Sequence, residues 1–182
     1  MHTGFIAMEP DTRHIKAWVG DIDFDSWKYD KVTAMRQSGS TFKLFVYAAA
    51  MNSGMSPCDR LRDEFVGMKV FDRKKGKEVL WAPHNANGYF TGDSMTLRAA
   101  FAQSVNSIAV KLGQQVGISN VVETAHQMGI LSPLEENPSL ALGSSDVNLL
   151  EMVNGYSTVA ADGKVQAPIL ITRIVDRNGK VI

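Results

Sequence analysis

The sequence holds one cysteine, Cys58, among 182 residues, so no internal disulfide can form and no thiolate cluster can bind a metal. It also lacks a surplus of charge: Lys and Arg number 19, Asp and Glu 19, and the formal net charge is zero. A balanced chain carries no electrostatic footprint for nucleic acid or for an anionic membrane surface, and neither partner is expected. No apolar run approaches the roughly 20 residues of a membrane-spanning helix. Met1-His2-Thr3-Gly4 is too short and polar to read as a signal peptide. The histidines, His2, His14, His84 and His126, show no metal-ligand spacing, so no metal is expected, and the chain calls for no cofactor. Cys58 lies between Pro57 and Asp59 with no histidine nearby in sequence, and reads as an incidental thiol. No repeat or low-complexity segment occurs.

What is present suits one domain: 45% of the residues are hydrophobic, enough for a core at this length. The run Phe5 to Glu9, turn chemistry at Pro10 to Arg13, and alternation over His14 to Gly20 predict an antiparallel hairpin. Asp21 to Ser38 reads as a polar loop. From Ser40 the pattern changes. Thr41 to Met51 is apolar around the whole helical circumference except at Lys43, which predicts a helix through the interior, stopped near Gly54. The charged run Asp72 to Glu78 reads as a solvated turn between short strands, and Pro83 to Gly92 as a long loop. Helices follow at Leu97 to Gln103 after Thr96, at Ser107 to Val116 ending on Gly117, and at Asn120 to Met128 with Glu123 in a capping box. Leu149 to Ala161 predicts an amphipathic helix, with Leu149, Met152, Val153, Tyr156, Val159 and Ala160 on its apolar face and Asn148 and Glu151 as its caps. Strands are predicted at Ile169 to Val175 and from Lys180. The fold class is α+β: a helical cluster against an antiparallel sheet that has few strands for that much helix.

Ser40 and Lys43 carry the chemistry. A serine hydroxyl needs a base within hydrogen-bond reach to become a nucleophile. Residues three apart on a helix share a face, so the spacing predicts that Ser40 and Lys43 meet without tertiary help. A lysine among Phe42, Leu44, Phe45 and Tyr47 loses hydration, which favours the neutral amine, a competent general base. The helix N-terminus offers free N–H groups to an oxyanion near Ser40. The spacing alone is common: Ser-x-x-Lys arises about once by chance in a chain this long, serine caps helices, and lysine can snorkel to water.

Arg36-Gln37-Ser38-Gly39-Ser40-Thr41-Phe42-Lys43 resembles the acylation-site signature of bifunctional, high-molecular-weight (class A) penicillin-binding proteins, and Ser104-Val105-Asn106 resembles their second motif. The likeness extends to Ile6-Ala7-Met8-Glu9-Pro10 with Ala17-Trp18-Val19-Gly20, to Leu97 through Gln103, to Pro138-Ser139-Leu140-Ala141-Leu142-Gly143 and to Leu150-Glu151-Met152-Val153. The resemblance implies a penicillin-binding-protein/β-lactamase-like transpeptidase fold over residues 1–182. It implies that Ser40 attacks a D-Ala-D-Ala stem peptide or a β-lactam, Lys43 takes its proton, Ser104 relays a proton to the leaving group, and Asn106 hydrogen-bonds the substrate amide. It further implies a bacterial parent anchored in the cytoplasmic membrane and acting at its outer face.

The sequence departs from the family pattern in three places. Ser38 stands where proline is usual, Thr12-Arg13 replaces a Thr-Gly turn, and no Lys-Ser/Thr-Gly motif occurs. That last motif supplies a second oxyanion N–H and a carboxylate clamp in the family. The expectation is therefore a partial transpeptidase domain lacking its C-terminal sheet strands, weak in catalysis and prone to self-association through an exposed sheet edge. Three rival readings stay open: a serine β-lactamase, for which Glu151-Met152-Val153-Asn154 would hold the water-activating base, a D,D-carboxypeptidase, and a non-enzymatic β-lactam sensor or structural module.

Overall fold

A computed structural model of the chain describes residues 3–23, 25, 27–72 and 75–182. His2, the start of the N-terminal run, and Arg73-Lys74 of the charged patch lie outside the described residues. In chain order the elements begin with strands β1 (Phe5–Met8), β2 (Ile15–Val19) and β3 (Arg36–Gln37), then helix α1 (Lys43–Asn52). Strands β4 (Arg60–Arg62), β5 (Met68–Asp72), β6 (Lys77–Trp81) and β7 (Ser94–Thr96) follow. Helices α2 (Leu97–Ala102), α3 (Asn106–Val116) and α4 (Ile118–Gln127) come next, then strand β8 (Asp146–Val147) and helix α5 (Leu149–Ala160). Single-turn 3-10 helices occupy Gly39–Phe42 and Pro138–Leu142. The chain divides into two compact units, each built from separate segments.

One unit comprises Met1–Ser38, Ala125–Pro133 and Ser145–Ile182. The predicted hairpin is β1 against β2, antiparallel, with Phe5 opposite Val19 and a register shift between Ala7 and Met8. Its turn closes through Arg13 N–H to Glu9 O at 2.9 Å. Arg13 has φ 58°, the left-handed region where glycine costs least. Its side chain is fully buried and donates to Pro10 O, Thr158 Oγ1 and Lys164 O, at 2.6, 3.2 and 2.5 Å, which offsets that strain. From Asp30 onward the polar stretch after β2 is tied down by hydrogen bonds. Asp30 accepts from Trp18 Nε1 and from the Val32 N–H, both at 2.8 Å, and β3 pairs antiparallel with β8.

Helix α5 starts with the predicted reciprocal cap. Asn148 Oδ1 accepts the Glu151 N–H at 2.9 Å, and Asn148 Nδ2 donates to Glu151 Oε1 at 2.8 Å. Its buried face is not the predicted one. Tyr156 and Val159 are exposed, while Asn154, Ser157 and Thr158 are buried beside Met152. Polar residues can face inward here because Thr158 Oγ1 donates to the Met128 and Asn154 carbonyls and accepts from Arg13. The predicted strands Ile169 to Val175 and Lys180 to Ile182 are reduced to isolated bridges, His14 with Ile169 and Val175 with Val181. Sequence alternation makes a strand possible, but only paired backbone makes a ladder. The turn at Arg177-Asn178-Gly179 forms, closed by the Gly179 N–H on Asp176 O.

The other unit comprises Gly39–Thr124 and Leu134–Ser144. Its core is helical. Helix α1 packs on α3, and both meet the Pro138–Leu142 turn. Phe45, Val46, Ala49 and Ala50 of α1 are buried, as are Ile108, Ala109 and Leu112 of α3, so α1 takes the interior course expected. Thr96 caps α2 as expected, its Oγ1 accepting the Ala99 N–H at 3.2 Å. Helix α4 starts at Ile118, two residues before the predicted cap, because Asn120 is already helical and donates its Nδ2 to the Val116 carbonyl. Strand β4 pairs with β7 and β5 with β6, so among the described residues the antiparallel structure comes as four two-stranded pieces.

Candidate functional site

Ser40 lies in the Gly39–Phe42 turn, which runs directly into α1. The turn is fixed by a close backbone approach. Gly39 (φ 58°) donates its N–H to the carbonyl of Gly143 (φ 73°) at 3.2 Å, and a Cβ on Gly143 would fall on the Gly39 backbone. No other residue fits at 143 without moving the turn. Ser40 is exposed, and its hydroxyl has no hydrogen-bond partner among the described residues. At the N-terminal end of a helical run it lies where backbone N–H groups are unsatisfied.

Lys43 is 2% exposed, although it carries the only charge in α1. Its Nζ donates to Ser104 O at 2.7 Å, Ser104 Oγ at 3.0 Å and Asn106 Oδ1 at 2.5 Å. Helix spacing predicted a direct meeting with Ser40. The three N–H groups go instead to the second motif, where a carbonyl and a carboxamide oxygen are stronger acceptors for an ammonium than a hydroxyl. Burial lowers the Lys43 amine from its ordinary value to about 8, so roughly a tenth of it is neutral at pH 7, far more than for an ordinary lysine.

The structure thus brings three of the four predicted site residues, Lys43, Ser104 and Asn106, into one hydrogen-bonded cluster, with Ser40 at the start of the helical run that carries Lys43. Ser104 holds φ 54°, a left-handed conformation for a residue with a side chain. That turn, between α2 and α3, directs both its carbonyl and its hydroxyl to Lys43. Asn106 opens α3, and its Nδ2 donates to His84 O at 2.8 Å.

Sequence reasoning missed what lies behind Asn106. Asn85, read only as a loop marker, accepts the N–H groups of Asn106 and Ser107 on its Oδ1 at 3.0 and 3.1 Å. Asp63, buried and unflagged, accepts from Asn85 Nδ2 and Ser107 Oγ. Burial alone would raise its carboxyl, but the hydrogen bonds from Ser107, Thr91 and Asn85 outweigh it and hold the group below its ordinary value. Asp63 stands between Arg62 and Glu64 in the sequence, so nothing in its neighbourhood marked it as buried.

Glu151 does not look like a water-activating base. Its Oε1 is taken by Asn148, and its Oε2 accepts the N–H groups of Leu131 and Ser132 at 3.2 and 3.0 Å. Cys58 is exposed. Among the described residues no group of three or more His, Cys, Asp or Glu is arranged to hold a metal ion, and no helix is long and apolar enough to cross a membrane.

Comparison with known proteins agrees with the motif pattern. A family model described as the penicillin binding protein transpeptidase domain matches residues 3–181. The chain is 36% identical over 183 residues to penicillin-binding protein 2D of Bacillus subtilis, covering 100% of this chain and 26% of that protein. It is 37% identical over 178 residues to penicillin-binding protein 1A of Rickettsia prowazekii, covering 97% and 22%. It therefore spans about a quarter of the length of these curated relatives. Among solved structures, penicillin-binding protein 1A from Haemophilus influenzae superposes with a TM-score of 0.89 at 29% identity, over 100% of this chain and 26% of that one. A penicillin G acyl-enzyme complex of penicillin-binding protein A from M. tuberculosis shares the fold, with a TM-score of 0.81 at 20% identity over 98% of this chain and 50% of that one. With a family model matched over nearly its whole length, the chain belongs to the penicillin-binding protein transpeptidase domain family.

Proposed function

We propose that this chain carries the acylation half of a serine-type D,D-transpeptidase that cross-links peptidoglycan stem peptides, and that β-lactams acylate the same serine. The observation that carries the reading is a buried lysine amine, lowered to about 8, that bridges Ser104 and Asn106. Ser40 Oγ attacks the carbonyl carbon of the D-Ala-D-Ala peptide bond while its proton passes to the neutral Lys43 amine. The Ser40 N–H donates to the developing oxyanion. As the tetrahedral intermediate collapses, the C–N bond breaks, and the leaving amine takes a proton relayed from Lys43 through Ser104 Oγ. Asn106 hydrogen-bonds the substrate amide. The acyl group then passes from Ser40 to the amine of a second stem peptide, with water as the acceptor in the carboxypeptidase variant. A β-lactam follows the first steps, but its amine stays tethered, so the ester persists.

The occupied carboxylate of Glu151 favours transpeptidase over β-lactamase chemistry. The reading sets the protein at the outer face of a bacterial cytoplasmic membrane, where stem peptides occur. Its test is intact-mass spectrometry after incubation with penicillin G. An adduct equal to one whole penicillin, mapped to Ser40 and lost in Ser40→Ala, is expected. No adduct, or one mapped to another residue, would overturn the assignment.

A further inference from the structure

A carboxylate and two carboxamides form a line behind the second motif, and each fixes the orientation of the next. Ionised Asp63 can only accept hydrogen bonds. Its Oδ1 accepts from Asn85 Nδ2 at 2.7 Å and Ser107 Oγ at 2.6 Å, and its Oδ2 from Thr91 N–H at 2.9 Å and Thr91 Oγ1 at 3.1 Å. Because Asn85 must turn its amide nitrogen to the carboxylate, its oxygen faces the other way. That oxygen takes the first two N–H groups of α3, on Asn106 and Ser107. Val105, in the N-cap position, has no side-chain acceptor to offer them, so Asn85 caps the helix from 21 residues upstream. The His84 carbonyl, next to Asn85, then takes Asn106 Nδ2, which turns Asn106 Oδ1 onto Lys43 Nζ.

We propose that Asp63 and Asn85 are positioning residues of the acylation site, fixing the start of α3 and thereby the direction in which Asn106 presents its oxygen to Lys43. The inference rests on the proposed roles of Ser40, Lys43 and Asn106. Neither Asp63 nor Asn85 hydrogen-bonds Ser40 or Lys43. Their effect travels through the start of α3 and through the neighbouring His84 carbonyl.

An exchange of the two side chains tests this. Asp63→Asn sets an amide where only acceptors fit, and Asn85→Asp sets a second carboxylate against Asp63. The double variant rebuilds the line, with Asn at 63 donating to the carboxylate at 85 and that carboxylate capping α3, and loses the Asn85 Nδ2 bond to Tyr89 O. Three readouts apply to the full chain: hydrogen exchange at the Asn106 and Ser107 amides, the 15N resonance of Lys43 Nζ, and the labelling rate with a fluorescent penicillin. Each single variant is expected to speed exchange, shift the Lys43 resonance and slow labelling by on the order of 10–100-fold, and the double variant to recover all three. Single variants that only lower the thermal midpoint, leaving the Lys43 resonance and labelling unchanged, would overturn the proposal. So would a folded double variant that recovers nothing. A wild-type chain that takes no label would count against the acylation reading instead, while exchange and the Lys43 resonance still decide the role of Asp63 and Asn85.

Discussion

Lys43 Nζ and Asn106 Oδ1 lie 2.5 Å apart, although 63 positions separate the two residues in the chain. The contact joins the first motif to the second and leaves the lysine with acceptors on every N–H. The lysine can serve as a base only when it gives up one of those donors as a proton.

Acylation of Ser40 should therefore follow the neutral fraction of Lys43. The labelling rate with a fluorescent penicillin is expected to climb about tenfold per pH unit below 8 and to level off above it, with its midpoint near the value of about 8 set by burial. A rate already flat from pH 6 would show that another group takes the proton. Stability gives a second check. The folded-state pKa of Lys43 lies below the unfolded value of about 10.5, so between about 8 and 10 the unfolded chain binds more protons and stability should rise with pH. Above about 10 the buried Tyr47 phenol, whose pKa burial raises, acts in the opposite sense.

Acid should act through Asp63. Its folded pKa lies below the unfolded value near 3.8, so its contribution is present above that pH and is lost as the pH falls through the folded value. Urea midpoints measured from pH 6 down to pH 2 should fall more steeply for the wild type than for Asp63→Asn. Equal slopes would remove the carboxylate from the account.

Gly143→Ala should damage the site as well as the fold. The new methyl would strike the Gly39 backbone at a position with φ 73°, so a loss of about 1–3 kcal/mol is expected. Labelling at Ser40 should slow even at temperatures where the variant is fully folded. Calorimetry alongside labelling separates the two effects.

Tyr47→Phe should be harmless or stabilising, by up to about 1 kcal/mol. Among the described residues the buried Tyr47 hydroxyl has no hydrogen-bond partner, while its ring packs against Phe101 at 4.9 Å between centroids. Removing the oxygen relieves a desolvation cost and keeps the ring contact. A clear loss of stability on urea titration would mean that the hydroxyl has a partner, such as water.

The sequence by itself determined the elements whose signals are local. The hairpin of β1 and β2, the buried course of α1, the Thr96 and Asn148 caps and the turn at Gly179 all rest on neighbours within a few residues. Resemblance to a family's two motifs, more than spacing, marked Ser40, Lys43, Ser104 and Asn106 as candidates. Tertiary structure decided the rest. Lys43 turns to Ser104 and Asn106, not Ser40, since an ammonium seeks the strongest acceptors within reach, and those come from a distant turn. The inward face of α5 is polar because Arg13 and Met128 offer partners that periodicity cannot reveal. Ile169 and Val175 alternate like strand residues but form only single bridges, since a ladder needs a second backbone. Asp63 and Asn85 gave no signal: their roles exist only where β4, the 82–93 loop and α3 converge, and hydrogen-bond direction is set by partners 22 and 44 residues apart.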